Sequence, residues 1–450
     1  MNLPPELIRS LHGVKGFDES AFIDVHESGN AITSIRINHK KISEKDISFP
    51  VKGDVPWCSS GYYLESRPVF TLDPLLHAGA YYVQEASSMF LEQVILQLCD
   101  LGEAMTVLDL CAAPGGKSTL IQSLISSESV LVSNEIHKSR SGILEENITK
   151  WGAANVVVTN SAPAQLGKLK SVFNLVVVDA PCSGSGLFRK DPGAMNEWSL
   201  QNVEMCAGRQ KEILEQVLPS LAGDGVLIYS TCSYSEEEDE EIAAWCLSKG
   251  LRGSRLAIKP EWNIVEVEIG KDSFGYRFYP DKLDGEGFFI AAFVKNNTDE
   301  TFKNFTRRRS TTVRANERVL SQWVNMDLYD TEIWNDEILL MPGRMKEMLP
   351  LLQETVYIKL AGLRIGVIVR GELIPNHALA LGGLVSERVR QFDVDIEIAL
   401  RYLRREEMNV TLPAGWYLIT YKKLPLGWIK SLGNRINNYY PKEWRIRMKS

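Results

Sequence analysis

The 450-residue sequence has few features of several protein classes, and each absence excludes something. It contains seven cysteines but no Cys-x-x-Cys pair, so neither a zinc ribbon nor a disulfide framework is expected. No apolar run approaches the ~20 residues that span a bilayer. The opening stretch MNLPPELIRSLHG has no basic segment leading into an apolar core, so no secretory leader is expected there. There is no convincing internal repeat and no sizeable low-complexity segment, which argues against solenoids and arrays. Together these absences predict a cytoplasmic protein with reduced thiols, no membrane partner and no metal.

The chain is too long for one ordinary domain, and its 44% hydrophobic and 24% charged residues can fill and solvate two or three globular units. Its formal charge of -7 hides an asymmetry. Residues 301–450 carry 24 Lys and Arg against 16 Asp and Glu, whereas residues 1–300 carry 26 against 41. A basic tail behind an acidic body suits a polyanionic partner. Residues 420–450 hold eight basic residues against the single acid Glu443, with Tyr421, Trp428, Tyr439, Tyr440 and Trp444 among them. Aromatics interleaved with cations suit stacking on bases and pairing with phosphates, although a small barrel core also needs aromatics.

Periodicity divides the chain. Residues 1–78 mix a helical start, the alternating run AITSIRIN and a Pro-containing loop, as in a small α+β unit. YYVQEASSMFLEQVILQL has the spacing of a helix. Then TVLDL, VLVSNE, NVVVTN, NLVVVDA and GVLIYST alternate with helical stretches, predicting a mostly parallel, doubly wound α/β sheet that GFFIAAFVK closes. This unit spans 79–297. The polar stretch 298–320 is expected to be a linker, and 321–450 a C-terminal RNA-binding region.

LDLCAAPGGKSTL follows the first of these strands. In open parallel sheets ligands sit beyond the carboxyl ends of strands, at a Gly-rich turn into a helix with free N–H groups. A phosphate-binding P-loop is the competing assignment, but it needs Gly where Cys111 stands, and Pro114 removes a cradling amide. A nucleotide hydrolase is therefore the weaker alternative. The next strand ends in Glu135, an acidic residue at the place that binds ribose hydroxyls in such sheets.

Three motifs then occur in order on successive strands: DLCAAPGGKS, VVVDAPCSGSGLFRKDP and LIYSTCSYSEEEDEE. Together they resemble the S-adenosylmethionine-dependent RNA cytosine-5 methyltransferases of the NSUN/Sun type, over at least residues 80–296. LPLGWIKSLGNRINNYYPKEWR resembles the tail of that family's bacterial RsmF branch, which modifies small-subunit ribosomal RNA. The resemblance implies a Rossmann-like class I methyltransferase core with a PUA-like region towards 375–450, S-adenosylmethionine as cofactor, and ribosomal RNA of the small subunit as partner. A monomer is expected. An RNA-binding assembly factor that kept the fold but lost turnover is the alternative from another class.

The same resemblance implies the site. Cys111, Ala112, Ala113, Pro114, Gly115, Gly116 and Lys117 would form the cofactor loop, with Glu135 and Arg140 beside it. Carbon-5 of cytosine is a poor nucleophile until a thiolate adds at carbon-6, so the chemistry calls for a cysteine and a nearby acid. Two thiols compete. In DNA cytosine methyltransferases the cysteine after proline attacks, which would select Cys182. In the RNA family the Thr-Cys cysteine attacks, which selects Cys232 and leaves Cys182 to assist release. Asp179 is placed against the cytosine edge and cofactor, and Lys190 matches a basic residue near the site. One departure is plain: where the family has an Asp that contacts adenine, this chain has Ser161, which lacks the charge. The acidic run SEEEDEEI is expected only to favour the start of a helix.

Overall fold

The computed structural model describes residues 3–296, 317–325 and 329–448. The expected linker therefore lies outside the described residues, apart from a helical turn at Glu317–Leu320.

Helices Pro5–Leu11 and Glu19–Glu27 lead into strands β1 (Thr33–Ile37), β2 (Val51–Asp54), β3 (Gly61–Leu64) and β4 (Tyr81–Val83). These form an antiparallel sheet in the order β2-β3-β1-β4. β4 corrects two expectations. Tyr81 pairs with Ile37, so the N-terminal sheet extends past residue 78, and the helix begins only at Leu91. The run Tyr81–Tyr82–Val83 has strand-favouring side chains, and the helical spacing holds only for Leu91–Leu98.

The central sheet is built on five parallel strands, β5 (Thr106–Asp109), β6 (Val130–Asn134), β7 (Val156–Thr159), β8 (Phe173–Asp179) and β9 (Leu221–Thr231). They are covered on both faces, which explains continuous apolar runs where a half-exposed strand would alternate. Helices Leu91–Leu98, Gly116–Leu124 and Lys138–Trp151 cover one face. Helices Leu200–Val217 and Glu240–Ser248 cover the other. β10 (Leu251–Gly253), β11 (Val265–Gly270), β12 (Ser273–Phe278) and β13 (Phe288–Lys295) extend it with antiparallel pairings.

The C-terminal part contributes β14 (Asp330–Trp334), β15 (Glu337–Met341), β16 (Ile358–Ala361), β17 (Leu363–Val369), β18 (Glu372–Pro375), β19 (Gln391–Val394), β20 (Gly415–Tyr421), β21 (Leu424–Ser431) and β22 (Ile436–Asn438). Two four-stranded sheets result, β14-β15-β17-β18 and β19-β20-β21-β22. β16 belongs to neither. It pairs antiparallel with β7 and completes the central sheet, whose order is β11-β12-β13-β9-β8-β5-β6-β7-β16 with β10 on β13. Helix Gly343–Thr355 packs Met345, Met348 and Leu352 into that sheet's second face. Residues 321–450 are therefore not a unit apart from the central sheet. Tertiary packing also claims two of the tail's aromatics. Trp428 and Tyr440 are fully buried, Trp428 donating through Nε1 to the Asn376 carbonyl, so neither is free to stack on a base. Among the described residues no helix is long and apolar enough to cross a membrane.

Candidate active site

Strand order reverses between β5 and β8, and the loops leaving these two strands open the crevice where open sheets bind ligands. The loop after β5 is held from three sides. Ala112 N–H donates to the Asn134 carbonyl, Asn147 Nδ2 to the Pro114 carbonyl and Arg140 Nη2 to the Ala113 carbonyl. Gly115 turns at φ +117°, a conformation that side chains with a Cβ rarely adopt, and Gly116 starts the helix. Below the loop, Ser118 donates to Asp109 Oδ2 at 2.7 Å, and burial pushes the Asp109 carboxyl up to about 7.

Glu135 closes the next strand. It is buried, its Oε1 accepts the His137 N–H at 2.8 Å, and Arg140 Nη1 lies 3.7 Å from Oε2. Arg140 therefore latches the carboxylate to the Ala113 loop. Ser161 is buried, and its hydroxyl accepts the N–H of Tyr357 at 2.9 Å.

Across the crevice, Cys182 and Cys232 face each other with sulfurs 3.0 Å apart. Both are free thiols and partly accessible. They come from different loops, after β8 and after β9, and Gly186 lets these loops touch. Its N–H donates to the Cys232 carbonyl at 2.9 Å, and a Cβ there would meet that oxygen at 2.8 Å and the Gly287 carbonyl at 2.4 Å. The hydrogen bond to Cys232, followed by burial, raises the Cys182 thiol well above its ordinary value. The two thiols are therefore in hydrogen-bond contact, and either sulfur can be the donor.

Asp179 joins the two halves of the crevice. Its Oδ2 pairs with Lys117 Nζ at 2.8 Å and its Oδ1 accepts the Ser230 hydroxyl at 2.8 Å. Burial pulls the Lys117 ammonium down, but Asp179, helped by Asp109 and Cys232, outweighs it and holds the lysine charged. Lys190 is exposed on the loop beyond Cys182. The cation turned inward is its neighbour Arg189, 3.7 Å from the buried Glu286.

The acidic run after Cys232 does more than start a helix. The helix begins at Glu240, while Glu238 and Asp239 are fully buried. Glu238 Oε1 accepts the Ser183 N–H at 2.8 Å and Gln210 Nε2 at 3.1 Å. Its Oε2 accepts the hydroxyls of Ser183 at 2.5 Å and Ser233 at 2.7 Å. One carboxylate therefore clasps the residue after each cysteine. The serines beside both cysteines are the sequence signal for it, since buried hydroxyls need an acceptor. Glu238→Ala should strand these donors at a cost of about 2–4 kcal/mol. Thermal melting should show the loss as a lower Tm, and Glu238→Gln, which keeps an acceptor oxygen, should recover most of it. An unchanged Tm for Glu238→Ala would remove the clasp.

Comparison with known proteins places this geometry. Residues 96–294 match the family of the 16S rRNA methyltransferase RsmB/F, residues 3–86 the N-terminal domain of 16S rRNA methyltransferase RsmF, and residues 389–446 the methyltransferase RsmF PUA domain. The chain is 30% identical over 441 residues to ribosomal RNA small subunit methyltransferase F of Cronobacter sakazakii, covering 91% of this chain and 89% of that one. The chain belongs to the RsmB/F methyltransferase family. It is also 28% identical over 443 residues to the Shewanella loihica protein of the same name, covering 91% of this chain and 88% of that one. Among solved structures, a methyltransferase homolog protein from Pyrococcus horikoshii is 28% identical with a TM-score of 0.51, covering 65% of this chain and 100% of that one. NSun6 from the same organism, solved with SFG, shares the fold at 20% identity and a TM-score of 0.54, covering 66% of this chain and 99% of that one. In this RsmB/F chain the thiol pair lies within the 96–294 match, whereas β16 and helix Gly343–Thr355 lie between that match and the PUA domain.

Proposed function

We propose that this RsmB/F chain methylates carbon-5 of cytosine in 16S ribosomal RNA, using S-adenosylmethionine and a covalent Cys232–cytosine adduct. The observation that carries this is the 3.0 Å thiol pair, in which the hydrogen bond to Cys232 and burial raise the Cys182 thiol. Two cysteines at separate strand ends, pressed together and clasped by Glu238, are more than packing requires.

The residues fit the cofactor. The Gly115–Gly116 turn opens backbone to it, and Glu135 presents a carboxylate at the strand end for a ribose diol. When bound, S-adenosylmethionine supplies the electrophilic methyl that carbon-5 accepts. Cys232 adds through sulfur to carbon-6, which moves electron density onto carbon-5. Asp179, held by Lys117 and Ser230, faces the pyrimidine edge and steadies the adduct there. As Cys232 becomes a thioether, the sulfur–sulfur hydrogen bond that raised the Cys182 thiol is lost. Cys182, its own proton passed to solvent, then takes the carbon-5 proton as a base, the C5–H electron pair restores the 5,6 double bond, and the carbon–sulfur pair leaves on Cys232 as thiolate. The target base must be unstacked to reach this crevice.

Bisulfite sequencing of 16S rRNA from cells with and without the protein tests the reaction. At least one cytosine should resist conversion only when the protein is present, and identical profiles would overturn the proposal. In melting experiments S-adenosylmethionine should raise Tm and ATP should not. The reverse would favour a nucleotide hydrolase.

The basic tail supplies the RNA contact through cations. Arg401, Arg404, Arg445 and Arg447 line a groove of about 1050 Å³ beside helix Ile396–Arg404, and Arg404 buries Nε and Nη2 without a hydrogen-bond partner among the described residues. Replacing Arg401, Arg445 and Arg447 by Gln should reduce the slope of log affinity against log salt by about 2, from fewer released counterions. An unaltered slope would leave these arginines as solvated surface.

A further inference from the structure

We infer that Tyr357, from the C-terminal part of the chain, supplies an aromatic face to the adenine of the cofactor. This rests on the S-adenosylmethionine site proposed above.

The order β5-β6-β7-β16 sets out the ground. With the Gly115–Gly116 turn at the end of β5 and Glu135 at the end of β6, the next strand end outward is that of β7, at Asn160 and Ser161. Ser161 offers no charge there, and its hydroxyl is already bonded to the N–H of Tyr357. The neighbour beyond it is the start of β16.

Side-chain alternation gives the direction of the ring. Lys359, two residues along β16, reaches Ser141 Oγ at 3.2 Å and Glu145 Oε2 at 3.5 Å, both on helix Lys138–Trp151. Ile358 points the other way, into the face covered by helix Gly343–Thr355. β16 is irregular between Ile358 and Leu360, so the direction is fixed by Val356 and Ile358, both packed into that second face: Tyr357 between them turns to the face of helix Lys138–Trp151, near the carboxyl end of β7. Its side chain is 66% exposed, and Ile136, directly after Glu135, is 53% exposed. Two large apolar side chains thus stand uncovered on either side of Asn160.

Asn160 ties them together. Its Nδ2 donates to the carbonyls of Glu135 and Ile136 at 2.6 and 2.9 Å, and its N–H donates to the Tyr357 carbonyl at 2.9 Å. The backbone carrying Tyr357 is fixed to the backbone carrying the ribose-binding carboxylate. An aromatic face in this position recognises a purine through stacking, without the carboxylate that Ser161 lacks.

Calorimetric titration of the full chain with S-adenosylhomocysteine tests this. Tyr357→Ala should weaken binding by about 10-fold, while Tyr357→Phe, which keeps the ring, should stay within about 2-fold of the parent. The Tm of ligand-free Tyr357→Ala should match the parent, since the ring is exposed and the main-chain bonds remain. Fluorescence of Tyr357→Trp should be quenched on titration. Equal affinity of parent and Tyr357→Ala, with no quenching, would overturn the inference and leave the cofactor site standing. No binding by the parent would overturn both.

Discussion

Cys232→Ala should abolish methyl transfer and every covalent link to RNA, whereas Cys182→Ala should leave a link that persists. The difference follows from the asymmetry of the pair. Cys182 is raised by its hydrogen bond to Cys232 and by burial, and the reaction proposed above gives attack to Cys232. Removing the attacker costs roughly four orders of magnitude or more in rate, the scale seen when a nucleophile is deleted. Without Cys182, attack still proceeds but release stalls. A denaturing gel with labelled substrate RNA should show a shifted band for Cys182→Ala, none for Cys232→Ala and none for the double variant, because trapping depends on attack. The opposite pattern would make Cys182 the nucleophile. No band in any variant, with activity retained, would overturn covalent catalysis.

Truncation after residue 320 should prevent the catalytic sheet from folding. The cut removes Met345, Met348, Leu349, Leu352, Val356, Ile358, Leu360 and Ala361, all buried in the cores on the two faces of that sheet. At ~1.5–3 kcal/mol for each large side chain the loss is of order 10–20 kcal/mol. That equals or exceeds the ~5–15 kcal/mol by which domains are stable. The cut also strips β7 of its outer neighbour and exposes its edge. The truncated chain should aggregate or melt without cooperativity and show no Tm shift with S-adenosylmethionine. A cooperative transition that S-adenosylmethionine raises would show that β16 is dispensable and restore the simple division of the chain at 298–320.

Local sequence was enough for the elements that frame the candidate site. Five apolar runs became five parallel strands because residues buried on both faces leave no alternation to mistake. The Gly-Gly turn and the acidic residue after β6 were legible because few residue types suit a tight turn or a carboxylate at a strand end. The order of three motifs indicated two cysteines. Periodicity failed where partners are distant. Tyr81–Val83 resembles the helix beside it until Ile37 pairs with it. β16 is a four-residue strand, IKLA, whose partner lies some 200 positions earlier in the chain, so nothing local assigns it to the central sheet. The inward turn of Glu238 and Asp239 was hidden within a run of like charges, because a buried carboxylate is recognised only by its donors. Those donors, Ser183, Ser233, Gln210 and Thr231, come together only in the fold. The sequence alone determined which residue types the candidate site was expected to draw together. Tertiary structure decided that two thiols meet at 3.0 Å and that the C-terminal part completes the catalytic sheet. Composition and spacing act over a few residues, whereas hydrogen-bond acceptors, desolvation and strand partners are supplied by whatever segment the fold brings alongside.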